Sequence, residues 1–362
     1  MTFLVLAVNP GVGSTKLGLY RDEAAVAEET LRHPEAALAG LARVWDQLPL
    51  RLAGVRAFAA RALAGARLDA AVGRGGLLGP VPSGAFQVTP AMLAELERAS
   101  RGEHASNLGA PLASAVAADH GCPALVVDPV SVDELEPVAR LTGLAGVERR
   151  SFSHALNMRA VARRHAREAG RRLEDLSLVV VHLGTGVSLS AQRGGRMVDV
   201  VNPQDEGPFA GDRAGGVPVT AVVEMCFAPG ADRAAVRRRL FGDGGLFSHL
   251  GTRDVRQALA RASAGDARAQ AVLEAMAYQI AKSAGALAAA LSGRVDAILL
   301  TGGMAHLPEV VEPIRRRVAW IAPVVLYPGE DELGALAAGA LRVLRGEEPA
   351  LAFEKDKDRK TA

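Results

Sequence analysis

The chain has 362 residues, of which 49% are hydrophobic and 23% charged, and its 42 basic and 40 acidic side chains leave a formal net charge of +2. This length predicts two domains with a sizeable core, and the near-neutral charge excludes the basic footprint typical of nucleic-acid binding. Two cysteines cannot form a disulfide framework, and no apolar run reaches the ~20 residues of a membrane span. We therefore expect a cytoplasmic protein with no membrane or nucleic-acid partner. Only five of the basic residues are lysines, so an arginine by itself is a weak functional signal in this chain.

The first segment predicts a β-hairpin. Residues 3–8 are apolar, residues 9–16 are polar and glycine-rich, and residues 17–20 alternate as a returning strand would. The glycines match neither the spacing of a P-loop nor that of a dinucleotide fingerprint, because Lys16 follows Thr15 and no third glycine occurs. The hairpin turn is therefore either a generic tight turn or a turn that faces a phosphate.

A second hairpin has the same pattern. Residues 178–183 form an apolar strand, Gly184-Thr185-Gly186 forms the turn, and residues 187–191 form the return strand, with a third strand at 196–201. A repeated strand, glycine-rich turn and strand indicates two related halves.

The remaining segments alternate between strands and helices. We predict strands at 124–127, 296–301 and 323–326, and helices at 156–169, 269–291 and 333–344. Such alternation is typical of an α/β protein with buried sheets.

Ligands in α/β proteins collect beyond the carboxyl ends of strands, where this chain places Asn9, Asp128, His182 and Thr301. The acidic run 330–332 opens a helix after a strand. It either complements the helix dipole or supplies oxygen ligands for Mg²⁺.

Two arginines stand among glycines. Arg213 lies in the aperiodic stretch 202–218, which we expect Pro208 and Phe209 to hold against the body of the protein. Arg74 lies within 73–76, which is either a surface turn or a segment kept small so that a ligand can approach. His104 and His154 are each ambiguous from the sequence alone, either as structural or capping residues or as functional residues.

Taken together, the motifs resemble those of the acetate and butyrate kinase family, within the superfamily of acetate and sugar kinases, heat-shock chaperone ATPases and actin. The resemblance runs from residue 5 to about 347 and is greatest to the butyrate kinase branch. It rests on Asn9-Pro-Gly with Ser14-Thr-Lys16, and on the segments 73–76, 104–109, 129–134, 154–157, 206–209, 213–216, 301–303 and 328–332.

This resemblance implies an α/β fold with duplicated ribonuclease H-like (actin-like ATPase) domains and an interdomain cleft. The N-terminal domain would span 1–150 and the nucleotide-binding domain 151–347, with helix 333–347 packing back onto the first domain. Residues 348–362 would form a tail, and we expect the charged run from Phe353 onward to be solvated.

The implied reaction is reversible, Mg²⁺-dependent phosphoryl transfer from ATP to a short-chain fatty carboxylate, butyrate or a branched analogue, giving acyl phosphate and ADP. The family also implies a homo-oligomer, either a dimer or a larger even assembly. Three alternatives stay open: an acetate- or propionate-preferring kinase, a sugar kinase, and a non-catalytic member of the superfamily.

Family roles carry over to individual positions. The implied catalytic residues are Asn9, Arg74, Asp128, His154 and Arg213, and Arg74 and His104 would bind the substrate. The implied nucleotide-binding residues are His182, Gly184, Thr185, Gly186, Asp254, Arg256, Gly302, Gly303 and Met304. Asn9 and Glu332 would hold Mg²⁺, with Glu330 and Asp331 as alternatives to Glu332.

Overall fold

The computed structural model describes residues 2–353, which form two compact units. Unit 1 contains residues 2–133, 155–157 and 331–353, and unit 2 contains residues 134–154 and 158–330. The chain therefore begins in unit 1, builds unit 2 and returns to unit 1 at residue 331.

Eleven strands lie in the described residues: β1 (Leu4–Pro10), β2 (Ser14–Arg21), β3 (Ala24–Arg32), β4 (Ala70–Arg74), β5 (Ala85–Gln87), β6 (Ala124–Val127), β7 (Ser177–Leu183), β8 (Val187–Arg193), β9 (Arg196–Val201), β10 (Ala297–Gly302) and β11 (Val324–Pro328). The same residues contain thirteen α-helices: α1 (Glu35–Leu38), α2 (Leu48–Leu63), α3 (Pro90–Arg98), α4 (Gly109–His120), α5 (Pro137–Arg140), α6 (Ala155–Glu168), α7 (Val219–Phe227), α8 (Arg233–Leu240), α9 (Gly245–Leu250), α10 (Val255–Ser263), α11 (Ala267–Ala290), α12 (Pro308–Val318) and α13 (Glu332–Leu344). Short 3-10 segments occur at Trp45–Gln47, Ala105–Leu108, Leu173–Asp175 and Gly303–His306.

The two units are built on sheets that share a five-strand order, to which unit 1 adds β5 at one edge. The order is β3-β2-β1-β4-β6-β5 in unit 1 and β9-β8-β7-β10-β11 in unit 2. In both sheets the first three strands form an antiparallel meander, and the first strand pairs in parallel with the fourth. This shared topology confirms the α/β fold with two actin-like, ribonuclease H-like domains.

The sheet of unit 1 carries helices on both faces because successive residues of β1 point to opposite sides. On one face Val5 and Ala7 pack with Leu336 and Ala340 of α13. On the other face Leu6 and Val8 belong to the cluster that includes residues of α2 and α4. Helix α13 is thus a structural part of unit 1.

Unit 2 has one large apolar cluster. Val179 and Val181 of β7 share it with Met276, Ile280 and Ala284 of α11. The spacing of these three helix residues places them on one helical face.

Two glycines let the backbones of α4 and β4 approach more closely than side chains would allow. A Cβ on Gly73 would overlap the carbonyl oxygen of Gly109, and a Cβ on Gly109 would overlap the carbonyl oxygen of Arg74. The space beside Gly75 and Gly76 is also occupied by protein, since a Cβ on Gly75 would overlap Pro129 and a Cβ on Gly76 would overlap Asn107. Segment 73–76 is therefore neither a surface turn nor a space left for ligand. Its glycines are required by packing, and Arg74 is the last residue of strand β4.

We predict that Gly73→Ala and Gly109→Ala each lower the free energy of unfolding by about 1–3 kcal/mol or more, because overpacking forces the backbone apart. Gly285→Ala in α11 is the matched control. Its added Cβ meets no atom within 4 Å, and alanine favours a helix interior by roughly 0.5–1 kcal/mol. Urea denaturation of the three variants measures these changes. A stable Gly109→Ala variant would contradict the packing argument.

The final described residues depart from the expectation of a solvated tail. Leu351 forms an isolated parallel β-bridge with Phe86 of β5, and the Leu351 N–H donates to the carbonyl of Ala85 at 2.8 Å. Phe353 is buried against Met92 and Leu96. The prediction is wrong at Phe353 because its ring fills an apolar site in unit 1. The rest of the predicted run, residues 354–362, lies outside the described residues.

None of the helices within residues 2–353 combines the length and apolarity needed to cross a lipid bilayer.

Candidate active site

Three predicted residues meet at the carboxyl ends of β1 and β4 in unit 1. Arg74 Nη1 lies 2.8 Å from Glu332 Oε1, and Asn9 Nδ2 donates to Glu332 Oε2 at 2.5 Å. Arg74 Nη1 also donates to Asn9 Oδ1 at 3.4 Å. The Nε of Arg74 is buried and makes no hydrogen bond with the described residues. The cluster therefore presents a guanidinium that is held on one side by a carboxylate.

The three consecutive acids of segment 330–332 have different environments. Glu332 joins the Asn9–Arg74 cluster, whereas the Asp331 carboxylate accepts from the N–H of Gly334 at 2.8 Å and caps α13. Glu330 belongs to unit 2, where its Oε1 lies 3.1 Å from His182 Nε2. Of these acids, only Glu332 shares a cluster with Asn9.

Asp128 follows β6 and is buried in unit 1. Its Oδ1 accepts from the N–H of Gly84 at 2.8 Å, and its own N–H donates to the Gly84 carbonyl at 3.0 Å. Its φ of +39° is unusual for a residue with a Cβ, and strained backbone of this kind is often found at functional sites.

His104 is an exposed N-cap. Its Nδ1 accepts from the N–H of Ser106 at 3.2 Å and lies 2.7 Å from Ser106 Oγ. This geometry accounts for the capping interpretation. A substrate-binding role for His104 stays a prediction.

In unit 2, His154 and His182 form a stacked pair with ring centroids 3.9 Å apart and planes 9° from parallel. His154 Nδ1 lies 2.9 Å from Ser188 Oγ, and Ser188 pairs with His182 across the hairpin β7–β8. His182 is buried, with Glu330 beside its Nε2. His182 and Ser188 thus fix the His154 ring, and no pattern in the sequence marks Ser188 as its neighbour.

Arg213 lies in a loop that is anchored as predicted, since Phe209 and Ala210 belong to the core of unit 2. The guanidinium stands over the second glycine-rich turn, where a Cβ on Gly186 would come within 3.1 Å of Nη1. The Gly211 N–H donates to the Thr185 carbonyl at 3.2 Å. Loop and turn therefore form one structure, and Gly186 leaves room for Arg213.

A pocket of about 480 Å³ opens beside this turn within unit 2. It brings together the predicted residues Gly184, Thr185, Asp254, Arg256, Gly303 and Met304, and it adds Gly211, Arg253, Val255, Leu307 and Glu330. The predicted residues His182, Gly186 and Gly302 are not among those that line it. Gly302 has φ +89° and packs against the backbone of Leu183, so it serves the strand junction.

The side-chain oxygens of Glu332 and Asn9 in unit 1 fit a magnesium ion that takes most of its ligands from water and from a bound phosphate compound. Mg²⁺ commonly takes one or two protein carboxylates and completes its shell with water and phosphate oxygens. Glu332 supplies one carboxylate and Asn9 one amide oxygen. No group of three His, Cys, Asp or Glu side chains within residues 2–353 is arranged to hold a metal without such a ligand.

The class of protein is indicated by comparison with known families. The sequence profile of the Acetokinase family matches residues 140–319, slightly less than half of the chain.

Solved structures extend the similarity over both units. An acetate kinase from Porphyromonas gingivalis superposes with a TM-score of 0.77 at 20% identity, covering 94% of this chain and 100% of that one. A propionate kinase from Francisella tularensis subsp. tularensis SCHU S4 gives 0.74 at 15% identity, with coverage of 93% and 98%. An acetate kinase from Entamoeba histolytica gives 0.75 at 15% identity, with coverage of 93% and 99%. At these identities the superpositions establish the shared fold.

We predict that acid weakens unit 1 through His33, whose ring Nε2 lies 2.9 Å from Thr15 Oγ1 in the first hairpin. Burial, and then the nearby Arg51 cation, lower the pKa of His33 below its usual 6.5. The unfolded chain therefore takes up this proton first as the pH falls, so the free energy of unfolding should decrease below about pH 6.5. Urea denaturation across pH 5–8 measures the effect.

His33→Gln should flatten that pH dependence without abolishing it, because burial also lowers the pKa of His165 in unit 2. Identical pH profiles for the variant and the parent protein would contradict the role of His33.

Proposed function

We propose that this chain is a carboxylate kinase of the acetokinase family, which transfers a phosphoryl group from ATP to a short-chain fatty acid. The match of residues 140–319 to the Acetokinase family carries the proposal. It is supported by a pocket of nucleotide size in the same unit and by the Arg74–Glu332–Asn9 cluster in unit 1. The proposal extends to a cytoplasmic homo-oligomer, dimeric or larger and even-numbered.

The chemistry requires no general base. A short-chain acid is ionised at neutral pH, as carboxyl groups with pKa values near 4 are. One carboxylate oxygen attacks the γ-phosphorus, the bond from phosphorus to the β,γ-bridging oxygen breaks, and the electron pair leaves with ADP. The obstacle is the approach of an anion to a polyanion, so catalysis depends on positioning and on cations.

The residues divide between these tasks. Arg74 would bind the acid, while Arg213 and His154 would stabilise the equatorial oxygens of the transferring group, with Ser188 orienting the His154 ring. Gly184, Thr185, Asp254, Arg256, Gly303 and Met304 would line the nucleotide site with His182, Gly186 and Gly302 behind them. Asp128 would orient its neighbours and would not act as a base.

Glu332 and Asn9 would hold Mg²⁺, which when bound neutralises phosphate charge. In that role Glu332 would exchange part of its contact with Arg74 for the metal. Arg74 would then have a free side toward the acid, consistent with its unpaired Nε.

Butyrate or a branched analogue is the substrate we propose, on the resemblance of the motifs to the butyrate kinase branch. The fold similarity to acetate and propionate kinases keeps those shorter acids as the second candidate. One methylene changes binding in an apolar pocket by only about 1–3 kcal/mol, so the difference is one of rate and affinity.

Trapping with hydroxylamine tests the reaction. With ATP, Mg²⁺ and acetate, propionate, butyrate or isobutyrate, we expect hydroxamate to form in proportion to ADP, with the highest kcat/KM for butyrate or isobutyrate. ADP formed with a hexose and no hydroxamate would indicate a sugar kinase. Nucleotide binding without turnover of any acid would indicate a non-catalytic member.

Arg213→Lys should lower kcat by roughly 100-fold or more with little change in KM for ATP, because lysine cannot donate two parallel hydrogen bonds to the transferring group. Arg172→Lys is the control, since Arg172 is exposed in unit 2 and pairs only loosely with Glu174. Steady-state kinetics with both substrates varied separate the parameters. A rise in KM for ATP at constant kcat would assign Arg213 to ground-state binding.

A further inference from the structure

A buried arginine, Arg51, donates hydrogen bonds to the first hairpin turn of unit 1, and no pattern in the sequence marks it. Arg51 of α2 has no exposed surface and pairs with no carboxylate among residues 2–353. Its guanidinium donates only to neutral acceptors: the carbonyls of Gly11, Val12 and Ser14, Thr15 Oγ1 and Gln47 Oε1, all at 2.7–3.0 Å. Burying an unpaired cation costs free energy. This arrangement is therefore not one that stability alone favours.

The hydrogen bonds fix the direction of the peptide groups in the turn. Arg51 holds the carbonyls of Gly11, Val12 and Ser14, and the N–H of His33 donates to the carbonyl of Gly13 at 2.9 Å. In a trans peptide the N–H points opposite to the carbonyl of the same unit. Drawing these carbonyls inward therefore turns the intervening N–H groups outward.

Two of those N–H groups have no acceptor among residues 2–353. The amides of Val12 and Gly13 donate to no atom of the described residues. Val12 is 78% exposed, and the space beside the Gly13 Cα is open. Successive outward amides form an anion-binding nest, and the Arg51 charge beneath them increases the positive potential there.

We propose that Arg51 is a positioning residue, which holds the turn so that the amides of Val12 and Gly13 bind an anionic phosphate oxygen. This deepens the proposed phosphoryl transfer and rests on it for the identity of the anion. Arg51 acts through the turn and does not touch the ligand. The competing interpretation is that Arg51 only stabilises the hairpin.

The sequence allows the Gly13 amide to be observed almost alone. Val-Gly pairs occur in the chain only at 12–13 and 72–73. Labelling the full-length protein with carbonyl-¹³C valine and ¹⁵N glycine therefore selects two amide signals, from Gly13 and Gly73. Gly73 pairs within the sheet with β1 and β6, so its signal reports that unit 1 is folded.

Inorganic phosphate is the probe, titrated against sodium chloride at matched ionic strength. We expect the Gly13 signal to shift saturably with phosphate and not with chloride. In Arg51→Met the affinity read from Gly13 should fall by at least tenfold while the Gly73 signal remains. Arg56→Met, which removes an exposed arginine from the same helix, should titrate like the parent protein.

Arg51→Lys covers the case in which the methionine variant fails to fold. Lysine keeps the charge but cannot reach three carbonyls at once, so the Gly13 response should still weaken. Guanidinium added to Arg51→Ala should restore the response, whereas methylammonium should not. A purely structural role predicts parental phosphate affinity in any variant that retains the Gly73 signal, and that result would overturn the proposal.

The absence of a Gly13 shift at the highest phosphate concentration that preserves the Gly73 signal would also overturn it. The hydroxamate assay stands apart from this measurement. Acyl phosphate formation without a Gly13 response would refute the role of Arg51 and leave the kinase intact. A Gly13 response without acyl phosphate formation would retain the anion site and refute the proposed reaction.

Discussion

The contacts of the Glu332 carboxylate hold together the part of unit 1 in which its predicted site residues meet. It receives hydrogen bonds from Asn9 at the end of β1 and from Arg74 at the end of β4, so it joins two neighbouring strands to the first turn of α13. The same carboxylate offsets the charge of a guanidinium whose Nε makes no hydrogen bond with residues 2–353. The Glu332 carboxylate thus has a structural role in unit 1 and is also the group proposed to bind the metal. The contacts that fix the carboxyl ends of the strands are also those that a metal and a substrate would share.

The buried cation of Arg51 follows a different principle. Arg74 is balanced by a carboxylate, whereas Arg51 is balanced only by the dipoles of carbonyl, hydroxyl and amide oxygens. A dipole cage keeps the charge in place without neutralising it, so its field extends to the outer side of the turn. In unit 2, the corresponding turn at 184–186 also has an arginine beside it, since a Cβ on Gly186 would come within 3.1 Å of Arg213 Nη1. Each of the two duplicated turns therefore lies next to a guanidinium.

The sequence predicted those parts of the fold in which pattern and burial coincide. Strand 124–127 matches β6 to the residue, and the predicted helices 156–169 and 333–344 match α6 and α13 within one residue at each end. Helix α4 was missed because it is buried around most of its circumference and shows no contrast between faces. The stretch 73–76 was misread because glycines that admit a neighbouring backbone have the same sequence signature as glycines that admit a ligand. Arg74 and the acidic run 330–332 were singled out from their sequence context, and the roles implied for Arg74 and Glu332 came from family motifs. Ser188 and Arg51 were missed because contacts across a hairpin, or between a helix and a turn, leave no local pattern.

The path of the chain has a consequence for how the protein is made. Unit 1 begins with β1, but one face of its sheet stays uncovered until α13 has been made. The bridge between Leu351 and Phe86 of β5 forms later still. Unit 2 lies wholly within the intervening residues and can close on itself earlier. During synthesis, an apolar sheet face that includes Val5 and Ala7 must therefore stay uncovered until α13 has been translated. Unit 1 therefore has its first strand made before unit 2 and its last helix made after it.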